Sequence, residues 1–143
     1  MICSTGIENY TTPGTFNMEQ SRPETDRQEW YFITKYKCYV KYATRIKGSI
    51  LFHSIPYNWK DEDCIDRECL WRFGTPASHG CVRLRWQDAK FIAENCMPGT
   101  HVKVLCSETR DDELRSLLYQ ESFDASKGFS YEDGLIENFY LSL

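Results

Sequence analysis

The stretch "TPASHGCVRL", residues 75–84, sets a histidine and a cysteine on either side of one glycine. Taken alone, it allows four readings of Cys81: a nucleophile, a metal ligand, half of a disulfide, or a small buried residue. Gly80 lets the backbone bend sharply between His79 and Cys81. Such a bend can turn the N–H groups of 79–81 to one side, as a cradle for an oxyanion requires. The chain holds seven cysteines, so Cys81 stands out only through its neighbours and through whatever else in the chain can serve it.

A nucleophilic cysteine needs a partner that maintains its thiolate. An ordinary thiol of pKa ~8.5 is only about 3% ionised at pH 7, whereas a nearby imidazolium that lowers the pKa to ~6 makes it roughly 90% thiolate. Three histidines are available. His79 lies two residues before Cys81. His53 ends the apolar run "SILFHS" ahead of Pro56, where a strand feeds a loop and working side chains are common. His101 opens a late strand outside any motif and reads as a structural or surface residue. A zinc site could draw on Cys64, Cys69, His79 and Cys81, but His79-x-Cys81 matches no usual half of such a site. On residue chemistry alone, acyl transfer by Cys81 and simple packing of Cys81 both stay open.

The rest of the chain sets bounds. Its 143 residues fit one domain with a real core. A net charge of −4 gives no basic footprint for nucleic acid or an anionic membrane surface. No run approaches the ~18 apolar residues of a membrane span, and "MICSTGIENY" has neither the basic region nor the apolar core of a secretory signal. The odd cysteine count leaves at least one thiol free or paired between chains. Cys64 and Cys69, five apart in an acidic segment, are candidates for a bridge.

"TTPGTF" (11–16) carries a Pro-Gly turn. Residues 30–55 read as strands; "KCYVKYATRI" partly alternates as one half-buried strand, and Lys47-Gly48 turns the chain into "SILFHSI". "WKDEDCIDRECLW" (59–71) reads equally as a short helix or a solvated loop. "WQDAKFIAENC" has helical spacing with Asp88 in its first turn, and "MPGT" stops it. "HVKVLC" reads as a strand. Residues 107–143 turn acidic and loosely helical in "DDELRSLLYQ" and "EDGLIENFYLSL", an appended segment.

With these pieces in order, the chain resembles the L,D-transpeptidase (YkuD-type) catalytic domain over roughly residues 2–105, in the style of clostridium-like Gram-positive members. His53 ahead of Ser78, His79, Gly80, Cys81, Val82 and Arg83 follows that family's histidine-then-SHGC pattern. "CSTGIENYTTPGTF", "ILFHSIPY", "DAK" and "PGTHVKV" resemble its flanking elements. The resemblance implies a mainly β fold: a β-sandwich of mixed sheets, a helix after the cysteine motif, and a short helical C-terminal tail. It divides the chain into a catalytic domain at 2–106 and a helical extension at 107–143. Two departures stand out. The spacer 54–77 is 24 residues, longer than the family's usual one, and reads as an inserted loop over the site. The chain also begins near the "STG" element, which suggests that two further strands precede it in the family.

The resemblance implies a mechanism as well. Cys81 attacks the carbonyl that joins the third residue of a peptidoglycan tetrapeptide stem to its terminal D-alanine. D-Alanine leaves, and the thioester passes to the amine of a neighbouring stem, giving a 3→3 cross-link; water in place of the amine gives carboxypeptidase activity. His53 is the base, oriented by the carbonyl of Ser54. The N–H groups of His79, Gly80 and Cys81 form the oxyanion hole. Arg83 holds a substrate carboxylate; Ser78, Ser54 and Tyr57 line the substrate site, with Tyr42 a further candidate wall. No metal or organic cofactor is required, the partner is the peptidoglycan stem peptide, and the place of action is the cell wall on the extracellular face.

Overall fold

The computed structural model describes residues 1–106 and 111–122. Seven short strands make three small sheets. Strand β1 (Gly14–Asn17) pairs antiparallel with β7 (His101–Val104), and β2 (Tyr31–Ile33) pairs antiparallel with β3 (Cys38–Val40). The third sheet is mixed: β4 (Thr44–Lys47) runs antiparallel to β5 (Ile50–Ser54), and β5 runs parallel to β6 (Val82–Leu84). Gly48, at φ +57, closes the β4–β5 hairpin in the left-handed region that the Lys47-Gly48 reading requires. Parallel strands need a long crossover, and here it is the segment that contains residues 59–71.

That crossover is neither a plain helix nor a solvated loop. A 3-10 turn at Glu62–Cys64 and the short helix α1 (Arg67–Trp71) are each started by an aspartate: Asp61 accepts from the Asp63 N–H, and Asp66 accepts from the Cys69 N–H at 3.0 Å. Between them Ile65 drops into the core at 4% exposure. The segment is also tied down by Lys41, whose buried ammonium pairs with Glu62 and lies 3.7 Å from Glu29. The same ammonium sits 4.6 Å from the Trp30 ring centroid and 5.1 Å from that of Trp86.

Lys41 also explains why "KCYVKYATRI" is two strands. Its N–H donates to the Ser54 hydroxyl and its carbonyl accepts from the Ser54 N–H, so the backbone turns aside there. Tyr42 completes the break at φ +53. Beyond the break Arg45 is buried against Asp26 in a two-pronged ion pair, 3.1 Å from Nε and 2.9 Å from Nη2.

Two apolar clusters form the core. Ile2, Ile55, Tyr57, Ile65 and Phe73 make one, with Trp30, Tyr39, Cys69 and Leu70 against it. Val40, Ala43 and Leu51 make the other, with Tyr31, Ile33 and Cys81 against it. Helix α2 (Trp86–Asn95) packs on β5, buries Ala89 and Ala93, and pairs Asp88 with Arg85 at 3.1 Å. Helix α3 (Asp112–Ser122) sets Leu118 on the first cluster; "EDGLIENFYLSL" lies outside the described residues. The mixed small sheets, the helix after the cysteine and the helical tail agree with the expected fold class. All seven cysteines are free thiols, so Cys64 and Cys69 form no bridge.

Candidate active site

Strands β5 and β6 bring the two halves of the motif together. Their parallel register pairs Phe52 with Val82, His53 with Arg83 and Ser54 with Leu84. Because side chains alternate along a strand, His53, Arg83 and Cys81 share one face. Two residues of rise and one strand spacing put the Cα atoms of His53 and Cys81 about 8 Å apart, close enough for their side chains to meet.

His53 is 3% exposed, and its Nδ1 lies 2.5 Å from the Ser54 carbonyl. A carbonyl only accepts, so Nδ1 carries the proton and Nε2 is the open, basic nitrogen. Burial pushes the His53 pKa down to about 4; the Ser54 carbonyl opposes that shift and the Arg83 charge adds to it. Burial likewise pushes the Cys81 thiol above its usual value, against the Leu51 N–H, Arg83 and Arg45, which favour the thiolate. Burial thus favours the neutral form of both the imidazole and the thiol.

The loop before Cys81 is held by its own side chain and by the N-terminal segment. Ser78 accepts from the Gly80 N–H at 3.0 Å and donates to the Cys81 carbonyl at 2.5 Å. The Gly80 N–H is thus engaged inside the loop, which differs from the expected set of three donors. Among the described residues, the N–H groups of His79 and Cys81 have no acceptor. Gly80 sits at φ +125, and a Cβ there would meet the Ile50 side chain at 2.6 Å and the Tyr10 carbonyl oxygen at 3.1 Å, so only glycine fits. Tyr36, at the tip of the β2–β3 hairpin, stacks on the His79 ring at 5.1 Å. The Cys81 Sγ points to the Ser49 carbonyl at 3.6 Å. A cleft of about 230 Å³ lined by Thr11, Thr12, Phe16, Ile46, Lys47 and Ile50 opens beside this loop.

Arg83 is the free cation of the site. Among the described residues its Nη1 reaches the Cys69 sulfur at 3.4 Å, and its buried Nε has no partner. Among the described residues no carboxylate pairs with it. Cys38 and Cys69 lie close enough to feel its charge; burial nevertheless raises both thiols, Cys69 to about 11. Sequence reasoning did not find this convergence, because Cys69 arrives on the crossover and Cys38 on a separate hairpin.

Three residues expected to contact substrate are engaged with other partners. Ser54 is fully buried and bonded to the Lys41 N–H and the Ile55 carbonyl. Ser78 is 2% exposed and committed to the loop. Tyr57 is core: its ring is edge-on to Trp30 at 5.1 Å, and its backbone bridges Tyr39 and Ile65. Each satisfies a buried polar or apolar neighbour. Tyr42 lies beside Trp86 and Lys90 rather than at the cysteine. Among the described residues no three His, Cys, Asp or Glu side chains are grouped to hold a metal ion.

A histidine strand and a cysteine strand in parallel, with an anchored glycine loop in front of the cysteine, define a thiol–imidazole site on a small mixed sheet. The comparisons with known proteins show the family. The family model for the L,D-transpeptidase catalytic domain, YkuD, matches residues 1–104, and the chain belongs to that family. It is 40% identical over 113 residues, 75% of its own length, to the Bacillus subtilis (strain 168) protein named "Putative L,D-transpeptidase YciB", and spans 54% of that relative. Among solved structures it resembles an L,D-transpeptidase from Mycobacterium tuberculosis H37Rv (TM-score 0.54, 25% identity, 74% of this chain and 42% of that one). It shares the fold of L,D-transpeptidase 3 from Mycobacterium tuberculosis in complex with a faropenem-derived adduct (TM-score 0.52, 22% identity, 74% and 44%). Among the described residues no helix is long and apolar enough to cross a membrane.

Proposed function

We propose that this chain catalyses peptidoglycan L,D-transpeptidation through a thioester on Cys81. The observation that supports it most is the β5–β6 register, which sets His53, Arg83 and Cys81 on one face beside two unpartnered N–H groups. In this reading Cys81 Sγ attacks the carbonyl before the terminal D-alanine of a tetrapeptide stem while its proton passes to His53 Nε2. The oxyanion is received by the His79 and Cys81 N–H groups. The C–N bond breaks, His53 returns the proton to the leaving amine, and D-alanine departs. The side-chain amine on the third residue of a second stem then attacks the thioester, its proton goes by way of His53, and the thiol is restored with a 3→3 cross-link.

Arg83, with open donors and no carboxylate of its own, is suited to a substrate carboxylate. Residues 2–106 are the catalytic unit in this reading and 107–143 an extension of it. Its partner is the peptidoglycan stem, and it works in the cell wall, on the outer face of the membrane.

The test is covalent. Intact-protein mass spectrometry after exposure to a carbapenem is expected to show one adduct on the wild type and none on Cys81→Ala. Folded wild-type protein that takes no adduct would sink the reading. Product analysis with donor stems, with and without an acceptor stem, separates cross-linking from hydrolysis.

A further inference from the structure

The N-terminal segment runs alongside the cysteine loop and fastens it at several points. Ser4 and Arg83 exchange backbone hydrogen bonds at 2.9 and 2.8 Å, and the Ala77 and Ser78 N–H groups both donate to the Thr5 carbonyl. Two further bonds reach the loop's own peptide planes: the Ile7 N–H donates to the Ser78 carbonyl at 3.0 Å, and the Thr11 hydroxyl donates to the Gly80 carbonyl at 2.7 Å. In a trans peptide the carbonyl and the following N–H point in opposite directions. Drawing the Ser78 and Gly80 carbonyls toward the N-terminal segment therefore turns the His79 and Cys81 N–H groups away from it, both to the same side. These are the two N–H groups of the loop that have no acceptor among the described residues.

Of the two bonds only Thr11 works through a side chain. It is 6% exposed, and its oxygen accepts the Gly6 N–H at 2.7 Å, which directs its single proton to the Gly80 oxygen. The arrangement is built for closeness, since a Cβ on Gly6 would lie 2.6 Å from the Thr11 nitrogen. We infer that Thr11 is a positioning residue for the oxyanion hole: by holding the Gly80 carbonyl, it aims the Cys81 N–H at the carbonyl oxygen under attack. This rests on the acyl-transfer reading above. It assigns Thr11 no contact with substrate.

An alkylating agent such as iodoacetamide reacts with the thiol without building an oxyanion, whereas a carbapenem needs the oxyanion hole to acylate. The two reagents on wild type, Thr11→Val and Thr11→Ser therefore isolate the effect. Thr11→Val is expected to lower the acylation rate constant about 10–100-fold, somewhat less than loss of a whole donor, with alkylation of Cys81 within about threefold of wild type. Thr11→Ser, which keeps the hydroxyl, is expected to restore acylation to within about threefold of wild type. Should Thr11→Val fail to melt as a folded protein, Thr11→Ala is read in its place. Wild-type acylation in a folded valine or alanine variant overturns the inference and leaves the acyl-transfer reading intact. A parallel fall in alkylation overturns it in favour of general collapse of the loop. A wild type inert to carbapenem overturns both.

Discussion

The ionisation state of Cys81 can be measured directly by varying pH. Burial raises the Cys81 thiol above its usual value and pushes the His53 imidazole down to about 4, so both are disfavoured as ions. An ordinary thiol is only about 3% ionised at pH 7, and a raised one less. The rate of alkylation by iodoacetamide should then climb with pH by more than an ordinary thiol does, that is by more than about 20-fold between pH 7 and 9. An imidazolium-paired thiolate of pKa ~6 would change by only about 10% over the same two units. Peptide mapping by mass spectrometry follows the Cys81 peptide separately from the other six cysteines. His53→Ala should leave the profile above pH 7 unmoved, because the imidazole is already neutral there. A flat profile from pH 7 to 9, or an inflection near pH 6 that His53→Ala abolishes, would refute the neutral resting pair. His53 would then hold a charge in spite of its burial.

Three further outcomes follow from the packing. Asp26→Ala strands the buried Arg45 guanidinium without its two-pronged partner and should cost about 3–5 kcal/mol in urea denaturation; an unchanged midpoint would show that Arg45 finds water. Gly80→Ala meets Ile50 and the Tyr10 carbonyl, whereas Gly48→Ala has nothing within 4 Å. The first should abolish carbapenem acylation, and the second should leave it intact at a cost of about 1 kcal/mol in stability. Glu62→Gln removes the closer anion from the Lys41 ammonium and should expose the 59–71 segment to limited proteolysis about tenfold sooner, a change of about 1.4 kcal/mol in local opening; unchanged cleavage would make the caps and Ile65 sufficient anchors.

Legibility in the sequence followed the range of the interaction. The helix at 86–95 was readable because its apolar spacing, its acidic first turn and the Pro-Gly stop are local. The Lys47-Gly48 turn was readable because its backbone requirement sits in one glycine. The strand break at Tyr42 was not, since it depends on Ser54, thirteen positions away from Lys41, taking both of that residue's backbone groups. Tyr57 and Ser54 looked like site residues because they border His53 in the chain, yet alternation and burial turn them to other partners. The gathering of Cys38 and Cys69 around Arg83 left no mark in spacing. The motif order singled out His53 and Cys81, but the charge state of the pair is a property of burial that no motif states.

The clamp on the cysteine loop also bears on how the molecule folds. Ser4 with Arg83, Ile7 with Ser78 and Thr11 with Gly80 join residues roughly seventy or more positions apart. Contacts of that span close large loops and come late, because their entropy is spent before they return anything. Residues 4–11 must wait for residues 78–83 before they can shape the site. A chain that has formed its hairpins and helices but not this closure would hold Cys81 with its loop unshaped. Acylation competence therefore reports completed folding, while helix content would already read as native.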